Sequence, residues 1–516
     1  MAIFKTRHWY AATLIGVAST CGATEAAAQC ETDLREEITD TTLPGSGLFG
    51  GAIAVDGDRL VGGAIIANTF GQAPVFELDD TGVWQLEHIL QPWDLQASAM
   101  FFGREVAIAG DHIAVAATDW ELIAVPTGAV FTYRFDGTQW VPQDLLAPSL
   151  WPFDESSFGS AIALEGNRLI VGDPLYDSEG TNAGLVWVYE FDGSNWVETQ
   201  TLSPTDSDRA GDLFGSCLAL DGDQLFVGST GDADPSGLGA GYLYRYIGGA
   251  WVEVTEIVPS ELVYGFGGSA ELDGDLLFAR HTAAGTTNEY VVSVYERHGS
   301  TWSVSDTIIP PVLEANDLFG DTISSSGRFV AIGAPFYDVN GVEGAGAMFV
   351  YEMIGGEAFF LTQIEAEIAS ATDGFAESGA MVGNAIFVGI PNQEVSGVPN
   401  VGAVNLYEHH CGPTLLPDPP QLIGGTQVTF TMYNGNPRQY AWLLASVTGE
   451  NFSYVPPLGL YVGLDQPQVL GRARTDANGE ASWTRQVPNT TVAFDVWFQA
   501  VQHESITHVI ELEVLP

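Results

Sequence analysis

Positive charge is what this chain has least of. Of its 516 residues only 16 are Lys or Arg, against 66 Asp or Glu. The sole lysine, Lys5, lies near the start. A surface so acidic repels phosphate backbones and anionic headgroups, which argues against nucleic acid and anionic membranes as partners. Long apolar runs are missing too. Nothing after the first residues approaches the ~20 consecutive apolar residues of a membrane helix, so no membrane insertion is expected. Cysteine is scarce, with four in the chain. No C-x-x-C pair, H-E-x-x-H helix, G-x-S-x-G elbow or P-loop pattern occurs, so no catalytic constellation is readable from spacing. A site assembled from separate loops would leave no such signature.

The first 28 residues read as a secretory signal peptide. Lys5 and Arg7 make a basic start, residues 11–18 are mostly apolar, and Ala26-Ala27-Ala28 offers a small-residue cleavage site. Removing this segment leaves 14 basic side chains, all Arg, against 65 acidic ones. The expected destination is secreted, extracellular or periplasmic. Such a compartment permits disulfides, for which Cys30, Cys217 and Cys411 are the candidates.

What is present is a repeat. Aligned on an aromatic residue usually followed by Gly, seven copies start at Phe49, Phe102, Phe158, Phe214, Phe266, Phe319 and Phe375, with spacings of 53, 56, 56, 52, 53 and 56 residues. In the third copy, alternating apolar residues in "SAIAL" and "RLIVG" flank Glu165-Gly166-Asn167, and "GLVWVYEF" and "WVETQTL" flank Asp192-Gly193. Asp-Gly or Asn-Gly between alternating apolar runs signals a hairpin, because these residues tolerate the positive φ of tight turns. Two hairpins per copy give four strands. Seven such copies predict an all-β fold, a seven-bladed β-propeller over residues 30–411, since a flat sheet of that many strands is not viable.

The segments "FGSAIALEGNRLIVGDP", "FGDTISSSGRFVAIGAPFYD" and "GAGAMFVYE" resemble the FG-GAP repeat of integrin α heads and of many exported bacterial proteins. The resemblance covers about residues 33–410, and only the sixth copy keeps Gly333-Ala334-Pro335 intact. It implies a propeller used in adhesion or protein interaction.

The seventh copy stops after "GAVNLYEHHC" without its fourth strand, while "LREEITD" stands as an extra strand before Phe49. The N-terminal strand is therefore predicted to complete the last blade. In that arrangement Cys411 and Cys30 fall on either side of the turn that the chain break removes, and a Cys30–Cys411 disulfide would staple the ring. The alternative is two unrelated thiols. Across about 380 residues the chain-entropy model gives roughly 5–6 kcal/mol as an upper value. Cys217, in an apolar strand, reads as a small core residue.

Trp84, Trp140, Trp196, Trp251 and Trp302 recur in register, with Phe359 as the sixth counterpart. They read as packing residues rather than a sugar-stacking array. After Cys411 the prolines of residues 412–422 suit an extended linker. Residues 423–516 alternate strands with polar turns, as a small β-sandwich would.

Some integrin-type repeats bind calcium in a D-x-D-x-D-G-x-x-D loop between the first two strands. The corresponding places here, such as Asp221-Gly222-Asp223, are too short to wrap an ion that needs six to eight oxygens. The remaining candidate ion ligands are Asp206, Asp208 and Asp212, and the loop acids Asp177, Glu179, Asp338, Asn340 and Glu343. Surface loop is the default reading of both groups. No cofactor is expected, calcium being the one ion these loops would suit. Adjacent residues on a strand point to opposite faces, so His409-His410 is not expected to share a metal with Cys411. The sequence thus points to an exported, monomeric, non-catalytic binding or adhesion module with a protein or glycan ligand. The alternative is a polysaccharide-binding protein or hydrolase with its site on one propeller face, which convergent carboxylates at the central channel would favour.

Overall fold

The computed structural model describes the chain from residue 30 to residue 515. The longest internal stretches left out are 94–100, 150–155, 232–238, 434–439 and 488–493, and the others span five residues or fewer. The expected signal segment lies outside the described residues. Every regular element among them is a strand, and they fall into two compact units that divide between His410 and Cys411.

In the first unit the described residues form seven four-stranded antiparallel sheets of the β-propeller kind. The fourth sheet shows how sequence becomes structure. Phe214–Asp221 turns back into Gln224–Ser229 through Gly222 and Asp223, with Asp221 opposite Gln224 and Gly222 at φ 59°. The third strand, Ala240–Ile247, pairs with the second, and the fourth, Ala250–Ile257, with the third. Asp221-Gly222-Asp223 is therefore the turn of a hairpin. In the second and third sheets the later hairpin closes on an Asp. Asp192 accepts from the Ser194 and Asn195 N–H groups at 2.8 and 2.9 Å, and Asp136 accepts likewise from Thr138 and Gln139. Six sheets carry a register shift between their third and fourth strands, for example between Val188 and Tyr189. Such bulges increase local twist.

Each copy's leading Phe is buried to 1% exposure or less. It packs against an aromatic residue of the same sheet's third strand, as Phe158 does on Trp187 with ring centroids 5.2 Å apart. The next sheet is attached through its backbone. Phe102, Phe158 and Phe214 form parallel bridges to Gly71, Gly128 and Gly184 of the preceding sheets, and Phe49 forms the same bridge to Gly402 of the seventh. A Cβ on Gly402 would lie 2.1 Å from the Phe49 carbonyl oxygen, so only glycine fits at this joint. The seventh sheet thus meets the first as the first, second and third meet their successors.

The seventh sheet contains Gly379–Val382, Ala385–Ile390 and Ala403–Cys411, and its outer strand is Cys30–Ile38 from the chain's beginning. This is the predicted completion. Its Glu36 accepts from the Trp84 N–H of the first sheet at 3.1 Å. Asp144 does the same for Trp196, Gln200 for Trp251 and Asp306 for Ala358. The N-terminal strand therefore makes the sheet-to-sheet contact that an ordinary fourth strand makes. Arg35 pairs with Glu408 at 3.2 Å, and Thr32 Oγ1 lies 2.7 Å from His409 Nδ1.

Three expectations change. Trp84, Trp140, Trp196 and Trp251 are buried, but Trp302 is only partly so. Ala358, opposite Met353, holds the sixth sheet's equivalent place, and Phe359 is the next residue along, 42% exposed. In a strand one residue is the difference between faces. Cys217 is half-buried on an innermost strand rather than enclosed in an apolar core. The stretch read as a linker contributes the strand Thr414–Asp418, paired on one side with Gln427–Tyr433. Pro417 is tolerated there because an edge strand has a free side.

In the second unit, Thr414–Asp418, Gln427–Tyr433 and Ala481–Gln486 form one sheet. A larger sheet runs Leu422–Ile423, Ile510–Leu515, Phe494–Gln502, Tyr440–Ser446, Gln468–Arg474. Val428, Phe430 and Met432 from the first share a core with Leu443, Phe498 and Ala500 from the second. The Phe430 and Phe498 ring centroids are 4.4 Å apart.

Candidate functional site

Antiparallel meanders sort the connections of the first unit. The hairpin turns gather at one end of the sheets. The loops that enter each first strand, and those joining second to third strands, gather at the other.

At the turn end the acids hold neighbouring sheets together. Asp56 accepts from the Gly110 N–H at 2.6 Å, Glu165 from Gly222 at 2.9 Å and Asp221 from Gly274 at 2.6 Å. Ser326 Oγ accepts from Gly383 at 2.8 Å. The second acid of the turn pairs within its own sheet, Asp223 with Arg245, Asp275 with Arg297 and Asp111 with Arg134. Both acids of the Asp221-Gly222-Asp223 turn are thereby engaged.

Inside the ring, three chemically capable side chains stand on first strands. Burial pushes the Glu105 carboxyl up to about 7 against the opposing pull of Arg104. Burial likewise pushes Glu271 up to about 7, although its Oε1 accepts from the Ser325 N–H and Oγ at 3.2 and 3.1 Å. Cys217 is raised to about 12, chiefly by burial and further by the charges of Glu271 and Glu105. These residues belong to the second, fifth and fourth sheets, so Glu105 acts on Cys217 across the ring's interior. A thiol so raised is protonated at neutral pH and is not a nucleophile. Two carboxyls near neutrality, in contrast, are poised to give and take protons. Sequence reasoning passed over Glu105 and Glu271 because among so many acids a single glutamate carries no signal. Their distinguishing mark is their place in the repeat, four and six residues into copies where Ala recurs, as Ala52 and Ala161 or Ala54 and Ala163. Near them, Arg280 pairs with Asp321 at 2.6 Å, and burial raises Glu377.

At the loop end, Asp177 accepts from the Asn182 N–H at 2.6 Å and Asp338 from Gly344 at 2.8 Å. Asn340 donates to Glu365 at 3.2 Å. Asp338 and Glu343 line one cleft, and Asp212 is buried at the entry to the fourth sheet. Asp206, Asp208 and Glu179 lie outside the described residues, as do the side chains of Cys30 and Cys411. Large apolar residues also stand out on these loops: Phe101, Tyr264 and Phe336 are 42, 43 and 53% exposed.

The FG-GAP repeat model matches residues 196–244 and 302–351. Each match begins on a sheet's fourth strand and ends on the next sheet's third, so the sequence unit is offset from the sheet by one strand. No curated protein matches the chain. Among solved structures, a putative 6-phosphogluconolactonase from Bacteroides uniformis is similar at 12% identity and a TM-score of 0.45, over 64% of this chain and 88% of that one. The periplasmic gluconolactonase PpgL of Pseudomonas aeruginosa is similar at 14% identity and 0.40, over 83% and 99%. The β-propeller domain of the Trilobed protease from Pyrococcus furiosus, described as having an open velcro topology, is similar at 9% and 0.40, over 73% and 96%.

Proposed function

We propose that the chain is an exported, monomeric binding or adhesion module without chemistry of its own, a seven-bladed FG-GAP-type propeller followed by a β-sandwich. The observation that carries this reading is the division of labour between the two ends. At the turn end Asp56, Glu165 and Asp221 are committed to bonds between sheets, whereas the loop end holds out Phe101, Tyr264 and Phe336 beside acidic loops. Recognition concentrates on such loops, because a rigid scaffold lets them vary. The ligand is a protein or a glycan, and a Cys30–Cys411 disulfide locks the ring after export. A glycan and extracellular-protein array probed with residues 29–516 tests this reading. A hit weakened by Phe101→Ser or Tyr264→Ser supports it, and a hit indifferent to both places the contact elsewhere.

A second reading, hydrolysis at the inner edge, is favoured by one observation: Glu105 and Glu271 both lie near neutrality and both act on Cys217. An acid and base pair needs pKa values in that range. A broad glycoside and ester hydrolase screen decides it. Turnover that Glu105→Gln or Glu271→Gln lowers by a hundredfold or more, on the order of the 10²–10⁴ that general acid–base catalysis supplies, would replace the first reading.

A further inference from the structure

The loop entering the sixth sheet and the loop between that sheet's second and third strands enclose an open cleft of ≈ 470 Å³. Glu314, Asp317, Asp338 and Glu343 line it together with Phe336, and among the described residues no Arg or Lys does. Asp317 is 5% exposed, and its Oδ2 is shielded from water with no hydrogen-bond partner. The Glu314 N–H donates to the same carboxyl group. A buried carboxylate oxygen left without a donor is costly to maintain. Burial, then the charges of Glu314 and Asp338, pushes the Asp317 carboxyl up to about 6. The Tyr337 hydroxyl is raised by burial and by the same acids. Beside this concentration of negative charge the Phe336 ring is left 53% exposed.

We propose that the cleft binds an organic cation, an ammonium or guanidinium group, whose charge is balanced by the carboxyls that line it, the buried and under-bonded Asp317 among them, while the Phe336 ring covers its flank. The proposal rests on the reading of the loop end as a contact surface and names the chemistry of the contact. An aromatic face beside carboxylates suits an ammonium or guanidinium, which is attracted by both. A bare metal ion is served less well. Calcium needs six to eight oxygens at about 2.3–2.6 Å, and among the described residues no group of three His, Cys, Asp or Glu is arranged to hold a metal. The complementary charge comes from outside, because among the described residues no cationic side chain lines the cleft.

The same group is carried by a free polyamine and by a lysine of a protein partner. Spermidine and N-acetyl-lysine methylamide, titrated into residues 29–516 at about 0.15 M salt where diffuse surface attraction is screened, separate the two sources. The expected result is saturable one-to-one binding of at least the lysine amide, absent for its Nε-acetylated form. Asp317→Asn should weaken it about tenfold and Phe336→Ala about threefold. Each variant changes an exposed ring or one carboxyl among many, and unchanged melting confirms that the ring is intact. Binding that is equal in wild type and both variants is diffuse attraction and overturns the proposal, as does no binding by wild type. Stoichiometric Ca²⁺ binding that displaces the amine also overturns it, in favour of a metal site. Failure of the broader reading has a different sign: turnover lost in Glu105→Gln, with amine affinity unchanged in that variant.

Discussion

Ala376 occupies the place that Gly50, Gly103, Gly159, Gly215, Gly267 and Gly320 hold in the other sheets, and like them it has positive φ, at 66°. A Cβ in the left-handed region costs roughly 1–2 kcal/mol, partly offset by the extra freedom glycine has when unfolded. Ala376→Gly should therefore stabilise the first unit by about 0.5–1 kcal/mol. The check is a higher denaturant midpoint at unchanged slope. At this scale the turn glycines were legible in the sequence, because φ is a local matter. The work of the acids beside them was not. Asp221 accepts from Gly274, a partner one whole repeat away that the folded ring alone brings near. The same holds for Glu105 and Glu271, whose raised carboxyls come from burial inside the ring.

Among the elements, the outer strand of the seventh sheet carries the ring's closure. Spacing and a missing strand were enough to foresee that an N-terminal strand would supply it, read at residues 34–40 where the structure has Cys30–Ile38. The register of the sixth sheet was not foreseeable in this way. An aromatic at position 359 suggested continuity with the tryptophans, whereas pairing to the third strand sets Ala358 in that place. Cys30 begins the closing strand and Cys411 ends its partner. If the two are joined, intact mass should show one thiol, that of Cys217, alkylated only after unfolding and before reduction. Reduction should then lower stability by several kcal/mol, up to roughly 5–6 on the chain-entropy estimate. A mature protein with three alkylatable thiols contradicts the bond.

For the molecule as a whole, the acidic balance turns stability into a function of pH. Burial raises Glu105 and Glu271 to about 7 and Asp173 and Asp317 to about 6, against roughly 4 for a carboxyl in an unfolded chain. Between about pH 4 and about pH 7 the folded protein therefore holds more protons at these sites than the unfolded one, and stability falls as pH rises through that window. Mutual repulsion of the surplus acids acts in the same direction. Asp79, Asp136 and Asp192 act oppositely. Side-chain or backbone donors in their turns hold them below the usual carboxylate range, so their contribution is lost as pH falls below about 4. Melting should be highest near pH 4 and lower at pH 8; a maximum above pH 7 contradicts this balance. The one-strand offset between sequence unit and sheet has a further consequence. Because the Phe49–Gly402 joint is bonded like the joints between the first four sheets, the position of the chain ends is arbitrary with respect to the fold. A circular permutant of residues 30–411, opened in the Asp192–Asn195 turn and fused across the old ends, should rebuild the same ring with its seam moved to the third sheet.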